Sequence, residues 1–144
     1  MSRLISLISQ QLHKAHPGEA SIETAIVFPI MMFLCILGIQ YGTLVYARQA
    51  AEESARYGVR RGVVNVGNPE GAAVAAADQY ASSALPWGHE TNVEAPGGVV
   101  GTVMRIRVTT TPPNILNPIL SFFGGGTDFS VTAIAEGRME GWAP

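Results

Sequence analysis

The alternation of apolar and polar positions divides the chain into stretches of different character. Residues 24–47 run T-A-I-V-F-P-I-M-M-F-L-C-I-L-G-I-Q-Y-G-T-L-V-Y-A without a charged side chain. As a helix this run measures about 36 Å, enough to cross a hydrocarbon core of ~30 Å with some tilt. So long and apolar a helix is out of proportion to the core of a short chain, and the pattern predicts a transmembrane span. Pro29 stands near its start, where a helix tolerates or kinks around it. Tyr41 and Tyr46 near the far end suit the aromatic belt of a membrane interface. Cys35 lies mid-span, where packing is its expected role. Ahead of the span, residues 1–18 carry Arg3 and Lys14, no acid, and a sparse apolar stripe at Leu4, Ile8 and Leu12. Pro17-Gly18 ends that stripe.

Helical character continues beyond the span. Gly38, Gly42, Tyr46, Ala50, Ser54, Gly58 and Gly62 recur at every fourth position and are mostly small, a ridge that winds slowly around a helix. Gly38-x-x-x-Gly42 and Gly58-x-x-x-Gly62 have the spacing that lets helices approach closely, which predicts packing between stalks standing side by side. Asn65-Val66-Gly67 is a turn signal. Asn68 as cap, Pro69 in the first position and Glu70 in the first turn then start a helix, which should end at Pro86-Trp87-Gly88. Its buried side is predicted at Val74, Ala77, Ala81 and Leu85.

The remainder is β in character, with strands predicted over residues 89–95, 99–111 and 128–139 and a turn at Pro96-Gly97-Gly98. Met104, Ile106 and Val108 alternate with Arg105, Arg107 and Thr109, the period of a sheet with one buried face. Phe129, Val131, Ala133 and Ala135 alternate likewise with Ser130, Thr132 and Glu136. The predicted fold class is α+β: a long N-terminal transmembrane helix extending into a stalk, then a small antiparallel sheet of about three strands with one packed helix. A separate core of about ten apolar side chains predicts low stability once the domain is cut from its helix. Between the last two strands, residues 112–126 hold Ile115, Leu116, Ile119, Leu120, Phe122 and Phe123 in a Pro/Gly-bounded loop. So many large apolar residues must cover the sheet, touch lipid or dock on a partner.

Composition narrows the function. Of the 144 residues, 47% are hydrophobic and 14% charged, against about a quarter charged in an ordinary domain; mean hydropathy is +0.22. A net charge of −2 leaves no basic face dense enough for nucleic acid. One cysteine excludes an internal disulfide framework and a cysteine-based metal site. His13 and His16 lack further ligands nearby, and His89 is read as a solvated loop histidine. No serine stands in a nucleophile elbow, and Gly124–Gly126 lacks the Gly-Lys-Ser/Thr of a phosphate loop. The chain is expected not to be an enzyme, with neither cofactor nor metal.

Gly18-Glu19-x-x-x-Glu23 followed at once by an apolar helix resembles the processing site of type IV pilins. Residues 18 to about 62 resemble more particularly the TadE-like family of pilin-like proteins, through G-E-A-S-I-E-T-A-I-V-F-P-I, L-G-I-Q-Y-G and A-E-E-S-A-R-Y-G-V-R-R-G. The resemblance implies a minor pilin or pseudopilin of a tight-adherence pilus assembly and secretion system, supporting pilus biogenesis and adhesion. It implies a prepilin peptidase cutting between Gly18 and Glu19, which leaves Glu23 as the fifth mature residue. Implied partners are other pilin-like subunits, the pilus assembly platform and the lipid bilayer. The implied location is the cytoplasmic (inner) membrane of a bacterium, with one span and the C-terminal domain outside. Domains on this reading are a leader (1–18), a transmembrane helix and stalk (19–64) and an extracytoplasmic α+β domain (65–144). Thr24 departs from the aromatic that often follows the glutamate, which favours a minor subunit over the main fibre protein.

The residues carry a physical logic of their own. Glycine before a cut has the least bulk, so the backbone can lie extended in a protease cleft. A carboxylate at the mouth of an apolar helix is costly unless paired; the α-amino group freed by cleavage on a neighbouring subunit would neutralise Glu23 and fix the register of packed helices. The residues equally admit a simpler reading, in which Glu19 and Glu23 only decorate a helix N-terminus, where the macrodipole favours acids. Arg48, Arg56, Arg60 and Arg61 outnumber Arg3 and Lys14, so the positive-inside count places the C-terminal domain in the cytoplasm, against the resemblance. Two alternatives stand beside the pilin reading: an unprocessed membrane-anchored binding protein, and a conventionally secreted domain cleaved after Ala47.

Overall fold

A computed structural model describes residues 17–126 and 128–139. The elements follow in the order α1 (Pro17–Val63), α2 (Pro69–Ala84), β1 (His89–Pro96), β2 (Val103–Thr110), α3 (Asn117–Phe122) and β3 (Val131–Arg138). The stripe at Leu4, Ile8 and Leu12 lies outside the described residues. Helix α1 begins at a proline, whose missing N–H costs nothing in a first turn, and Pro29 lies inside it without ending it. It contains the one helix among the described residues that is long and apolar enough to cross a membrane, Ser21–Val63.

The chain divides into two units, Met1–Gly38 and Ile39–Pro144. In the described part of the first, Ile22, Ile26, Phe28, Ile30 and Phe33 are all exposed, as is Cys35. In the second unit β1, β2 and β3 form an antiparallel meander in chain order, and the rest of α1 packs with α2 on one face of it. Ala51, Ala55 and Val59 of α1, Ala73 and Ala77 of α2, and Met104, Ile106, Val108, Ala133, Ala135 and Met139 from the sheet side make one core. The core thus includes the stalk: residues 65–144 do not enclose it by themselves.

Local chemistry explains most boundaries. The Asn68 side chain accepts from the Gly71 N–H at 3.0 Å, with Pro69 in the first position, as the cap pattern predicts. The α2 backbone ends where the Leu85 N–H donates to the Ala81 carbonyl at 2.7 Å. Its buried side is Ala73, Ala76, Ala77 and Ala81, with Leu85 just beyond; Val74, predicted to be among them, is only half-buried. Alanine at these positions brings α2 close to α1.

Three predicted features change. The strand predicted over 99–111 starts at Val103, because Gly97, Gly98 and Gly101 take positive φ values of 69°, 102° and 90° and curl the preceding residues into a turn. The strand predicted over 128–139 is Val131–Arg138, leaving Phe129 before it. The apolar loop contains the helix α3, which no periodicity announces. A register shift between Val93 and Ala95 adds a bulge in β1 at Glu94.

Candidate functional site

The amino-terminal end of α1 holds the residues that the sequence singles out for processing and register. Gly18 and Glu19 are helical, in the first turn after Pro17. Glu23 is exposed, and no ion pair joins it to another described residue. It shares a shallow surface with Thr24, Val27, Phe28 and Met31, so a carboxylate stands at the edge of an open apolar helix face.

The glycines separate into two groups. A Cβ on Gly38 or Gly42 would meet nothing within 4 Å. On Gly58 it would meet the Ala73 carbonyl at 2.7 Å and the Ala77 Cβ at 2.8 Å, and on Gly62 the Ala73 Cβ at 2.7 Å and the Met104 side chain. The Gly58–Gly62 surface is therefore filled by this chain's own α2 and β2, not held open for a neighbouring stalk. Successive fourth positions drift by about 40° around a helix, so one ridge leaves the face it shares with the core. Ala50, Ser54, Gly58 and Gly62 lie on that face; Gly38, Gly42 and Tyr46 do not.

Gln40 is the residue that sequence reasoning missed. Only 3% exposed, its side chain donates from Nε2 to the Pro113 carbonyl at 3.3 Å and accepts at Oε1 from the Ile115 N–H at 2.8 Å. One amide thus holds residues 113–115 against α1. The signal is the one amide side chain in an uncharged run, which is expensive there unless both its ends are bonded. Gln40→Leu should leave the Ile115 N–H without its partner, at a cost on the order of 1–3 kcal/mol. Hydrogen exchange on the full chain would read this as lost protection at Ile115.

Tyr46, expected in an interfacial belt, is bonded to the domain. Its hydroxyl donates to the Ala84 carbonyl at 2.9 Å, at the end of α2, and its ring meets Trp87 edge-on at 6.1 Å. Trp87 Nε1 donates to Thr110 Oγ1 at 2.9 Å, and that hydroxyl donates to the Gly88 carbonyl at 2.7 Å. This chain of bonds ties the α2–β1 connection to the end of β2. His89 is likewise no solvated loop residue: it opens β1, is 15% exposed, and its Nε2 lies 3.4 Å from Asp78 Oδ1.

Two groups of surface charges are paired. On the outer face of the sheet, Glu94 at the bulge pairs with Arg107 and lies 3.9 Å from Arg105, which contacts Glu136 at 2.6 Å. Along α1, Arg48 pairs with Glu52 at 3.1 Å, and Arg56 lies 3.8 Å from Glu52 and 3.7 Å from Glu53. Arg61 lies over the Tyr57 ring, 5.4 Å from its centroid. Among the described residues, no three His, Cys, Asp or Glu side chains gather as metal ligands do.

These features define a class: a small α+β protein whose first helix is both an exposed apolar segment fit for a single-pass membrane anchor and part of the domain's core. Within that class, residues 18–60 match the family model described as TadE-like protein. No curated protein and no solved structure matches the chain.

Proposed function

We propose that the chain is a minor, pilin-like subunit of a tight-adherence pilus system, anchored by α1 in the cytoplasmic membrane of a bacterium with its α+β domain outside. The observation that carries this reading is where the TadE-like match begins: at Gly18, the residue before the proposed cut, with an open apolar helix following. A prepilin peptidase cuts between Gly18 and Glu19. Both residues lie in a first turn, where four N–H groups lack helical partners, so opening this turn into a protease cleft disturbs little else. Glu23 then stands five residues from the new amino group, placed to pair with the terminus of a neighbouring pilin-like subunit during assembly. The partners are such subunits, the assembly platform and the bilayer, and the role is in pilus biogenesis and adhesion.

The arginines after the span favour the reading as an unprocessed anchor facing the cytoplasm. Against secretion after Ala47 stands the place of that residue: it is fully buried, and a cut there would remove Gln40 and Tyr46 with their bonds to the domain. The mass of the protein recovered from its native membrane separates the three. A start at Glu19 is expected, and Gly18→Trp should abolish it, leaving the uncut chain. A start at Met1 in the unaltered protein would mean a plain anchor, and a start at Arg48 a secreted domain.

A further inference from the structure

We propose that the segment from Ile115 to Phe123 is a second membrane contact, dipping into the lipid at the surface where α1 emerges. This rests on the reading of α1 as a membrane anchor. Residues 111–127 carry no charge. Leu116 is buried against the domain, but Phe122 and Phe123 are 84% and 80% exposed and Ile115 and Leu120 are exposed beside them. Covering the sheet, the simplest use for these side chains, is therefore not what they do.

Two further observations choose lipid as the occupant. The first is position. Gln40 fixes the backbone of residues 113–115 to α1, and from Glu23 to Gln40 the helix advances about 26 Å, close to the ~30 Å of a hydrocarbon core. The loop is thus bound to α1 where the exposed apolar run gives way to the packed stalk. The second is polarity. Backbone groups entering lipid must be bonded within the chain. The N–H groups of Phe123, Gly124 and Gly125 donate to the carbonyls of Leu120, Ser121 and Leu120 at 3.1, 3.1 and 2.9 Å. Pro118 has no N–H to satisfy, and the Ser121 hydroxyl donates to the Pro118 carbonyl at 3.1 Å. Gly124, with φ of 80°, turns the chain out of α3 without a side chain in the way. The tip is a short helix with these N–H groups and the Ser121 hydroxyl bonded within the segment, and with two exposed phenyl rings.

The test uses the full chain in phosphatidylcholine vesicles, with Cys35→Ser removing the lone native thiol and single cysteines carrying a spin label. Labels at Phe122→Cys and Phe123→Cys are expected to relax more with dissolved oxygen than with a water-soluble nickel chelate, as a label at Met31→Cys does, while Glu90→Cys shows the reverse. If positions 122 and 123 behave like 90 while 31 stays in lipid, the proposal falls and the anchor stands. If 31 also reads as water, the anchor itself fails and takes the proposal with it. Shielding of 122 and 123 from both reagents overturns it too. Shielding that grows with protein per lipid assigns the rings to a second copy of the chain, and shielding that does not assigns them to the chain's own domain.

Discussion

A fragment of residues 39–144 is expected to unfold cooperatively in urea, whereas a fragment of residues 65–144 shows no transition at all. The difference is the stalk half of α1. Ala51, Ala55 and Val59 belong to the same core as Met104, Ile106 and Val108, three side chains on one face of β2 that are fully buried. Each contributes about 1.5–3 kcal/mol when buried, against a net stability of about 5–15 kcal/mol for a whole domain. Removing α1 opens the inner side of both α2 and the sheet, and the alanines of α2 bury too little area to compensate. A cooperative transition from the shorter fragment, followed by circular dichroism, would show that α1 is dispensable to the core.

The second large effect is expected at Gly58. Valine there meets the Ala73 carbonyl and the Ala77 Cβ, a backbone atom and a side chain with no freedom to turn aside. Overpacking of this kind costs about 1–3 kcal/mol, and the branched side chain falls at the upper end. A loss on the order of 10 °C in melting temperature follows for a domain of this size. Gly42→Val is the matched control. The same change occurs on the same helix where nothing lies within 4 Å, and replacing glycine in a helix is mildly favourable. Its melting temperature should hold or rise. Equal losses at both positions would mean that the two glycines do not differ as their surroundings indicate.

The elements legible in the sequence are those specified locally. Asn68-Pro69-Glu70 announces α2 because a cap acts over three residues, and Met104, Ile106 and Val108 announce β2 because one buried face imposes a period of two. Alternation overruns the start of β2 because glycine geometry overrides it at residues 97–102. Helix α3 is too short to show a period, and its apolar residues serve no single face. Among the candidate site residues, the four-residue ridge was real as a sequence feature, but its drift around the helix puts Gly58 and Gly62 inside the core and leaves Gly38 and Gly42 outside it. Gln40 escaped notice because its partners are backbone groups more than seventy positions away. Backbone partners leave no signature in residue type. The Trp87–Thr110–Gly88 bonds were invisible for a related reason: a tryptophan after a helix looks like a terminator until the strand that receives its N–H is in place.

The bonds made by Gln40 also decide how α1 meets bilayers of different thickness. With Glu23 at one end and residue 40 committed to protein, the stretch left for hydrocarbon is residues 24–39, about 24 Å of helix. An uninterrupted apolar run to residue 47 would draw on further turns as the bilayer thickened. A run stopped by a buried amide cannot slide, so mismatch in a thick bilayer must be absorbed by the lipid, which thins around the helix. In a thin bilayer, tilt suffices. Membrane thickness thus bears on where such a chain settles, through one side chain that carries no charge.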